Sequence, residues 1–359
     1  MIDIDRVVSF TRKKIEDLEW GTAAQLVIIQ RETVLVDLAI GSDPCGRPID
    51  PDSMFAIYCA TKPLVSLAIA DLIQRAELSL NDQLGDVVDG PLHPALQAIT
   101  IEALLTHRAG LHHPSINYLL NPAPVRDRLA RLTEPIPIPE SNRGIYSEYA
   151  AWHLLGLAIE ALTDGHFDVY ATEILRQRYG VTEIAFRPSS AQLSRLRLNV
   201  DMATHTPLYW EAAETNIQDA RAAQGGYASM RQLATLFDVV MRRVHSVPPL
   251  GQMLSIRTDT SYDPILGRTL PHGCGFMIDG NHHYLPALGP DAFGHTGLGA
   301  MTTVFTSASQ QMTIAFHVNG LAGQAIRRRE QLAELMTPET QESGVQRCSW
   351  ASSLARVRR

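Results

Sequence analysis

Near the start of the chain two apolar runs, QLVIIQ at residues 25–30 and TVLVDLAIG at 33–41, are separated only by the polar pair Arg31 and Glu32. Two β-branched runs around so short a polar joint predict a β-hairpin. The segment before it, MIDIDRVVSFTRKKIEDLEW, repeats apolar positions at helical spacing and predicts an amphipathic surface helix. After a polar loop holding Pro44, Gly46, Pro48 and Pro51, residues 64–78 (LVSLAIADLIQRAEL) carry apolar side chains all round, the pattern of a deeply buried helix. Between residues 81 and 210 short helical patterns alternate with proline-rich loops, as at 101–107 (IEALLTH) and 150–163 (AAWHLLGLAIEALT). Strand patterns return at 274–279 (CGFMID), 301–307 (MTTVFTS) and 311–320 (QMTIAFHVNG). A charged helical run follows at 325–336, and the polar residues 338–359 lack periodicity and predict a flexible tail.

Strands first and last with helices between them predict a mixed α/β (α+β) chain whose sheet domain is interrupted by a helical one. The expected boundaries are 1–60 with 211–337 for the sheet domain and 61–210 for the helical domain. A ligand site is expected in the cleft between them.

Composition narrows the function. The chain has 359 residues, 45% hydrophobic and 19% charged, with a net charge of −7, which describes an ordinary globular protein and argues against a nucleic-acid partner. No run reaches the roughly 20 apolar residues of a membrane span, and the first residues lack the basic-then-apolar order of a signal peptide. The four cysteines, Cys45, Cys59, Cys274 and Cys348, have no CxxC spacing and form no disulfide framework. A cytoplasmic protein with reduced thiols is the expectation, and a reduced Cys59 is free to react. The adjacent pairs His112–His113 and His282–His283 make a poor metal site, and nucleotide fingerprints are absent, so no cofactor is expected.

The stretch YCATKP places Cys59 three residues before Lys62, at the start of the buried helix. That spacing puts both side chains on one helix face. Unpaired N–H groups of a first turn and a neighbouring ammonium both favour a thiolate. The chain has only three lysines, and Lys13 and Lys14 belong to the surface helix. Lys62 is therefore the one lysine in the apparent core, where an amine can titrate and a guanidinium cannot. The bland alternative makes Cys59 a small buried hydrophobe while Lys62 reaches out to water.

Downstream, RGIYSEYAAW contains Tyr146-Ser147-Glu148, and FGHTGLGAM contains His295-Thr296-Gly297. Nucleophile-x-x-Lys, Tyr-x-Asn and His/Lys-Thr-Gly in this order resemble the class C β-lactamase and penicillin-binding-protein-like superfamily of serine hydrolases, esterases and transacylases. LSLNDQLGDVV (78–88), LLTHRAGL (104–111) and QGGYASMRQLATLF (224–237) resemble further segments of that superfamily, so the resemblance runs from about residue 25 to 336. It implies a β-lactamase/transpeptidase-like fold, an antiparallel sheet flanked by helices with an inserted all-α domain. It also implies roles. Cys59 takes the nucleophile position, with Lys62 its helix neighbour and Tyr146 the general base or proton shuttle. His295-Thr296-Gly297 is expected on the edge strand, and the N–H groups of Cys59 and Leu298 are expected to form the oxyanion hole. His107, inside LLTHRAGL, is expected to fix a loop by hydrogen bonds.

Two departures shape the functional expectation. Cysteine replaces the family's serine, and no serine stands three residues before any lysine. A thioester yields to amines much more readily than to water, compared with an oxygen ester, which favours acyl transfer over hydrolysis. Glu148 replaces the asparagine of Tyr-x-Asn and, if it faces Lys62, would hold that lysine cationic beside the Cys59 thiolate, leaving Tyr146 or His295 to handle the acceptor's proton. Glu148, Thr296 and Gly297 are expected to contact substrate. A histidine at position 295, where a lysine would read a carboxylate, makes β-lactams less suitable substrates. The expected partners are a small-molecule ester or thioester donor and an amine or alcohol acceptor, as in natural-product biosynthesis. The alternatives are a cysteine esterase and a binding protein with a retired site.

Overall fold

The computed structural model describes residues 3–90, 92–112, 143–212, 217, 220–256, 258–259, 262–280, 285–321 and 331. The loop 114–139, the tail 338–359, His113, His282, His283 and, apart from Gln331, the helical run 325–336 lie outside the described residues.

The chain opens with helix α1 (Ile4–Glu16), capped by the Asp3 carboxylate, which accepts from the Arg6 N–H at 3.0 Å. Strands β1 (Ala23–Gln30) and β2 (Thr33–Gly41) form the expected hairpin. Arg31 (φ 49°) and Glu32 (φ 64°) both adopt the left-handed conformation that matches a two-residue joint to strand twist. The last strands are β3 (Met277–Ile278), β4 (Phe293–Thr296), β5 (Thr302–Ser307) and β6 (Met312–Val318). Together they make a six-stranded antiparallel sheet in the order β2-β1-β6-β5-β4-β3. The hairpin closes on the far end of the chain, with Gln25 opposite His317 and Ile28 opposite Ile314.

Both faces of β1 are covered, which is why its sequence is apolar without alternation. Leu26 and Ile28 pack with α1, Phe305 and Phe316 on one face. Val27 and Ile29 join the larger core on the other. That core holds α2 (Lys62–Gln74), α3 (Ala150–Thr163), α4 (Phe167–Tyr179) and α5 (Met230–Arg243). Strand β2, at the sheet edge, is more exposed: Thr33, Val34, Leu35, Asp37 and Gly41 are exposed and only Val36 is buried. Every residue of α2 from Lys62 to Leu72 is buried, and the helix stops where Ala76 turns left-handed at φ 57°. No described helix is long and apolar enough to cross a membrane.

Three sequence expectations need correction. Cys59 is not in the first turn of α2 but in a separate 3₁₀ turn, Tyr58–Thr61, that runs directly into it. The strand expected over 274–279 shrinks to β3, because Gly275 (φ 79°) turns the chain under α2 and α3. A Cβ there would fall 1.8 Å from the Ser66 hydroxyl and 2.7 Å from the Trp152 ring. Strand β4 is not the sheet edge, since β3 lies outside it, but β3 meets β4 only at Phe293 and Gly294 and stops short of His295.

Candidate active site

The 3₁₀ turn bearing Cys59 is braced from behind by the glycine pair at 225–226. The Ile57 N–H donates to the Gly226 carbonyl at 2.9 Å, and the Gly226 N–H donates to the Thr61 hydroxyl at 2.9 Å. A side chain at Gly226 would lie 2.8 Å from that hydroxyl, so the approach needs glycine. Cys59 keeps 9% of its surface exposed. Lys62 and Tyr146 both interact electrostatically with its thiol.

Lys62 is wholly buried, which excludes the alternative in which it reaches water. Its Nζ donates to the Ala223 carbonyl at 3.0 Å and lies over the rings of Tyr146 (5.2 Å) and Trp152 (5.7 Å). Burial lowers the lysine pKa from its ordinary value, while Cys59 and Glu148 act in the opposite direction. The half-buried Glu148 acts on Lys62 in the expected direction, raising its pKa, while desolvation acts more strongly the other way.

Tyr146 arrives on the segment ahead of α3, held at successive backbone positions. Its N–H donates to Asp263 Oδ2 at 2.8 Å, and the Ser147 N–H donates to His107 Nδ1 at 3.0 Å. His107 thus fixes a loop by hydrogen bonding, from a left-handed backbone at φ 59°. Burial, then Cys59, then Glu148 raise the Tyr146 pKa well above its ordinary value. A resting phenolate is disfavoured, so the general-base role expected of Tyr146 narrows to donating a hydrogen bond and relaying a proton.

The third stretch approaches from β4. A Cβ on Gly297 would lie 2.5 Å from the Ile57 carbonyl, so only glycine lets the end of β4 press against the turn bearing Cys59. Leu298 opens the 3₁₀ turn Leu298–Ala300, in which Gly299 is left-handed at φ 56°. First-turn N–H groups lack intrahelical acceptors, so both proposed oxyanion donors belong to turns that meet at Ile57 and Gly297. His295 is buried, with its ring centroid 6.3 Å from that of Tyr146. Its Nδ1 donates to the Thr296 carbonyl at 2.8 Å, which places the ring proton on Nδ1. The Thr296 hydroxyl donates to the Met277 sulfur at 3.7 Å.

The structure therefore brings Cys59, Lys62, Tyr146, Glu148 and His295 around one point. It adds His272, buried with its ring 4.9 Å from His107 and 5.8 Å from Tyr146. Burial, then Lys62, lowers the His272 pKa to about 4. Its signal in the sequence is a lone histidine in PHG, which carries no motif. Among the described residues no group of three or more His, Cys, Asp or Glu could hold a metal.

Known proteins share this geometry's frame. Protein Rv1367c of Mycobacterium tuberculosis is 35% identical over 107 residues, a match spanning 25% of this chain and only 27% of that relative's length. A penicillin-binding protein homologue from Caulobacter crescentus superposes with a TM-score of 0.74 at 20% identity, over 93% of this chain and 98% of its own. EstCE1, described as a hydrolase with promiscuous acyltransferase activity, gives 0.73 at 16% identity, over 92% and 97%. At such identities these two structures show the fold alone. The beta-lactamase family model matches residues 12–336, taking in Cys59, Tyr146 and His295 alike, and the chain belongs to that family.

Proposed function

We propose that the protein is an acyltransferase that carries an acyl group as a Cys59 thioester from an ester or thioester donor to an amine or alcohol. The observation that supports this best is the convergence of Lys62 and Tyr146 on the Cys59 thiol, with Lys62 Nζ 5.2 Å from the Tyr146 ring, beside the Gly297 turn. In the first half-reaction the thiol proton passes to Lys62, whose pKa burial lowers, and the sulfur attacks the donor carbonyl. The N–H groups of Cys59 and Leu298 stabilise the oxyanion, a contribution of about 3 kcal/mol for each donor. Collapse expels the donor's alkoxide or thiolate, which takes the proton back from Lys62 through the Tyr146 hydroxyl. In the second half-reaction a neutral amine attacks the thioester and its proton returns by the same route, releasing an amide and restoring the thiol. The half-buried Glu148 carboxylate favours a basic acceptor. Hydrolysis is the second reading, with water as the acceptor; EstCE1 carries both activities in its description on the same fold.

The test incubates the protein and its Cys59→Ala variant with p-nitrophenyl acetate and reads the intact mass, then adds glycine ethyl ester. One acetyl group on the unmodified chain and none on the variant, transferred to the amine in preference to water, is the expected result. Faster loss to water than to amine would establish the esterase. No acetyl group on Cys59 would leave a protein with a retired site.

A further inference from the structure

Behind Cys59 runs a set of buried polar side chains that takes no part in the chemistry above. Tyr58, immediately ahead of Cys59, has φ 50°, a left-handed conformation that is strained for a non-glycine residue. Its hydroxyl donates to the Glu211 carboxylate and accepts from the Trp210 indole N–H at 3.1 Å. Asn199 holds the same carboxylate through its backbone N–H (2.8 Å) and its Nδ2 (2.7 Å). With Nδ2 committed there, Asn199 Oδ1 is the acceptor for His317 Nε2 at 2.9 Å. A ring donating at Nε2 accepts at Nδ1, so the Thr302 hydroxyl donates to it at 2.9 Å. The Thr302 carbonyl in turn accepts the Gly297 N–H at 2.8 Å. Tyr58 and Glu211 are each 7% exposed, and Asn199, His317 and Thr302 are fully buried.

The set therefore begins one residue before one oxyanion donor and ends one residue before the other. We propose that Tyr58, Glu211, Asn199, His317 and Thr302 form a hydrogen-bonded brace that fixes the Cys59 N–H relative to the Leu298 N–H, making Tyr58 and Thr302 positioning residues for the acyl-transfer site. The inference rests on the acyl-enzyme reading above. Its physical basis is that a displacement of about 1 Å between catalytic groups costs on the order of 100-fold in rate. A satisfied buried network resists such displacement better than two separate turns.

Two reactions at the same sulfur test it. Acylation by p-nitrophenyl acetate needs both the nucleophile and the oxyanion donors, whereas alkylation by iodoacetamide needs only the nucleophile. Both are followed by mass spectrometry on the peptide carrying Cys59. In Tyr58→Phe and in Thr302→Val, acylation is expected to slow about tenfold or more at an unchanged half-saturating ester concentration, with alkylation within about twofold. Thr302→Ser, which keeps the hydroxyl, is expected to acylate at the parent rate. The double variant is expected to be no slower than the worse single one, because both break one brace. Parent-like acylation in both single variants would overturn the inference, as would an equal loss of acylation and alkylation, the mark of a merely disordered turn. If the unaltered protein is alkylated at Cys59 but takes no acyl group, the acyl-enzyme reading falls and the inference with it.

Discussion

Lys62 answers to two opposing demands. A buried ammonium loses its hydration, and the Ala223 carbonyl, two aromatic faces and the Cys59 sulfur replace that hydration only in part. That shortfall lowers its pKa, the direction that the proposed transfer of the thiol proton to Lys62 requires. Lys62→Met removes the desolvation cost of a buried amine but leaves the Ala223 carbonyl without its donor, so the melting temperature is expected to stay near the parent's. The same change is expected to slow Cys59 acylation about 100-fold or more, as read by burst kinetics. Parent-like acylation in this variant would remove Lys62 from the proton path. Cys59→Ser is expected still to acylate but to pass less of its acyl group to an amine relative to water, because an oxygen ester discriminates less between them. Product partitioning measured at fixed amine concentration checks that ordering.

The turn Tyr58–Thr61 is held by neighbours remote in sequence rather than by its own capping. No side chain caps it. Gly226 holds one side through Ile57 and Thr61, and Gly297 closes the other against the Ile57 carbonyl. Gly297→Ala would push a methyl group to 2.5 Å from that carbonyl, a backbone atom that cannot swing aside. The expected cost is about 1–3 kcal/mol of stability in urea denaturation. Acylation is expected to slow far more than alkylation, because the oxyanion donors separate while the thiol remains. Equal slowing of both would mean that β4 supports the turn without shaping the oxyanion site. Other elements were legible beforehand: the hairpin, α3 and strands β5 and β6 follow from apolar runs of the right period and length. The 3₁₀ turn and the shortened β3 were not, because contacts with Gly226, Ser66 and Trp152 decide them, and those partners are far away along the chain.

At the scale of the molecule, one core encloses several titratable groups and ties stability to pH. Burial holds the His272 pKa at about 4 and the His153 pKa at about 3, both below an ordinary histidine near 6.5. Above about pH 6.5 these rings are neutral in both folded and unfolded chains and contribute no pH dependence. As the pH falls toward 4 the unfolded chain takes up protons that the folded chain refuses, so stability drops by about 1.4 kcal/mol per pH unit for each histidine. Glu211 and Asp263, raised by burial, act in the opposite direction at acid pH. Comparing the parent with His272→Gln cancels those common contributions. The variant is expected to lose less stability between pH 6.5 and 4.5, measured by urea unfolding at each pH. Equal losses would show that His272 protonates freely in the folded chain.

Local pattern and spacing predicted the hairpin, α3 and strands β5 and β6, and placed Cys59, Lys62, Tyr146 and His295 in one ordered series of motif-like stretches. Those properties are local, since periodicity, turn residues and spacing act over a few positions. The state of Lys62, the protonation of Tyr146, the presence of His272 and the brace from Tyr58 to Thr302 needed the tertiary structure. Each depends on how far a group is withdrawn from water and on which distant atoms replace that water, and neither is written in the neighbouring residues.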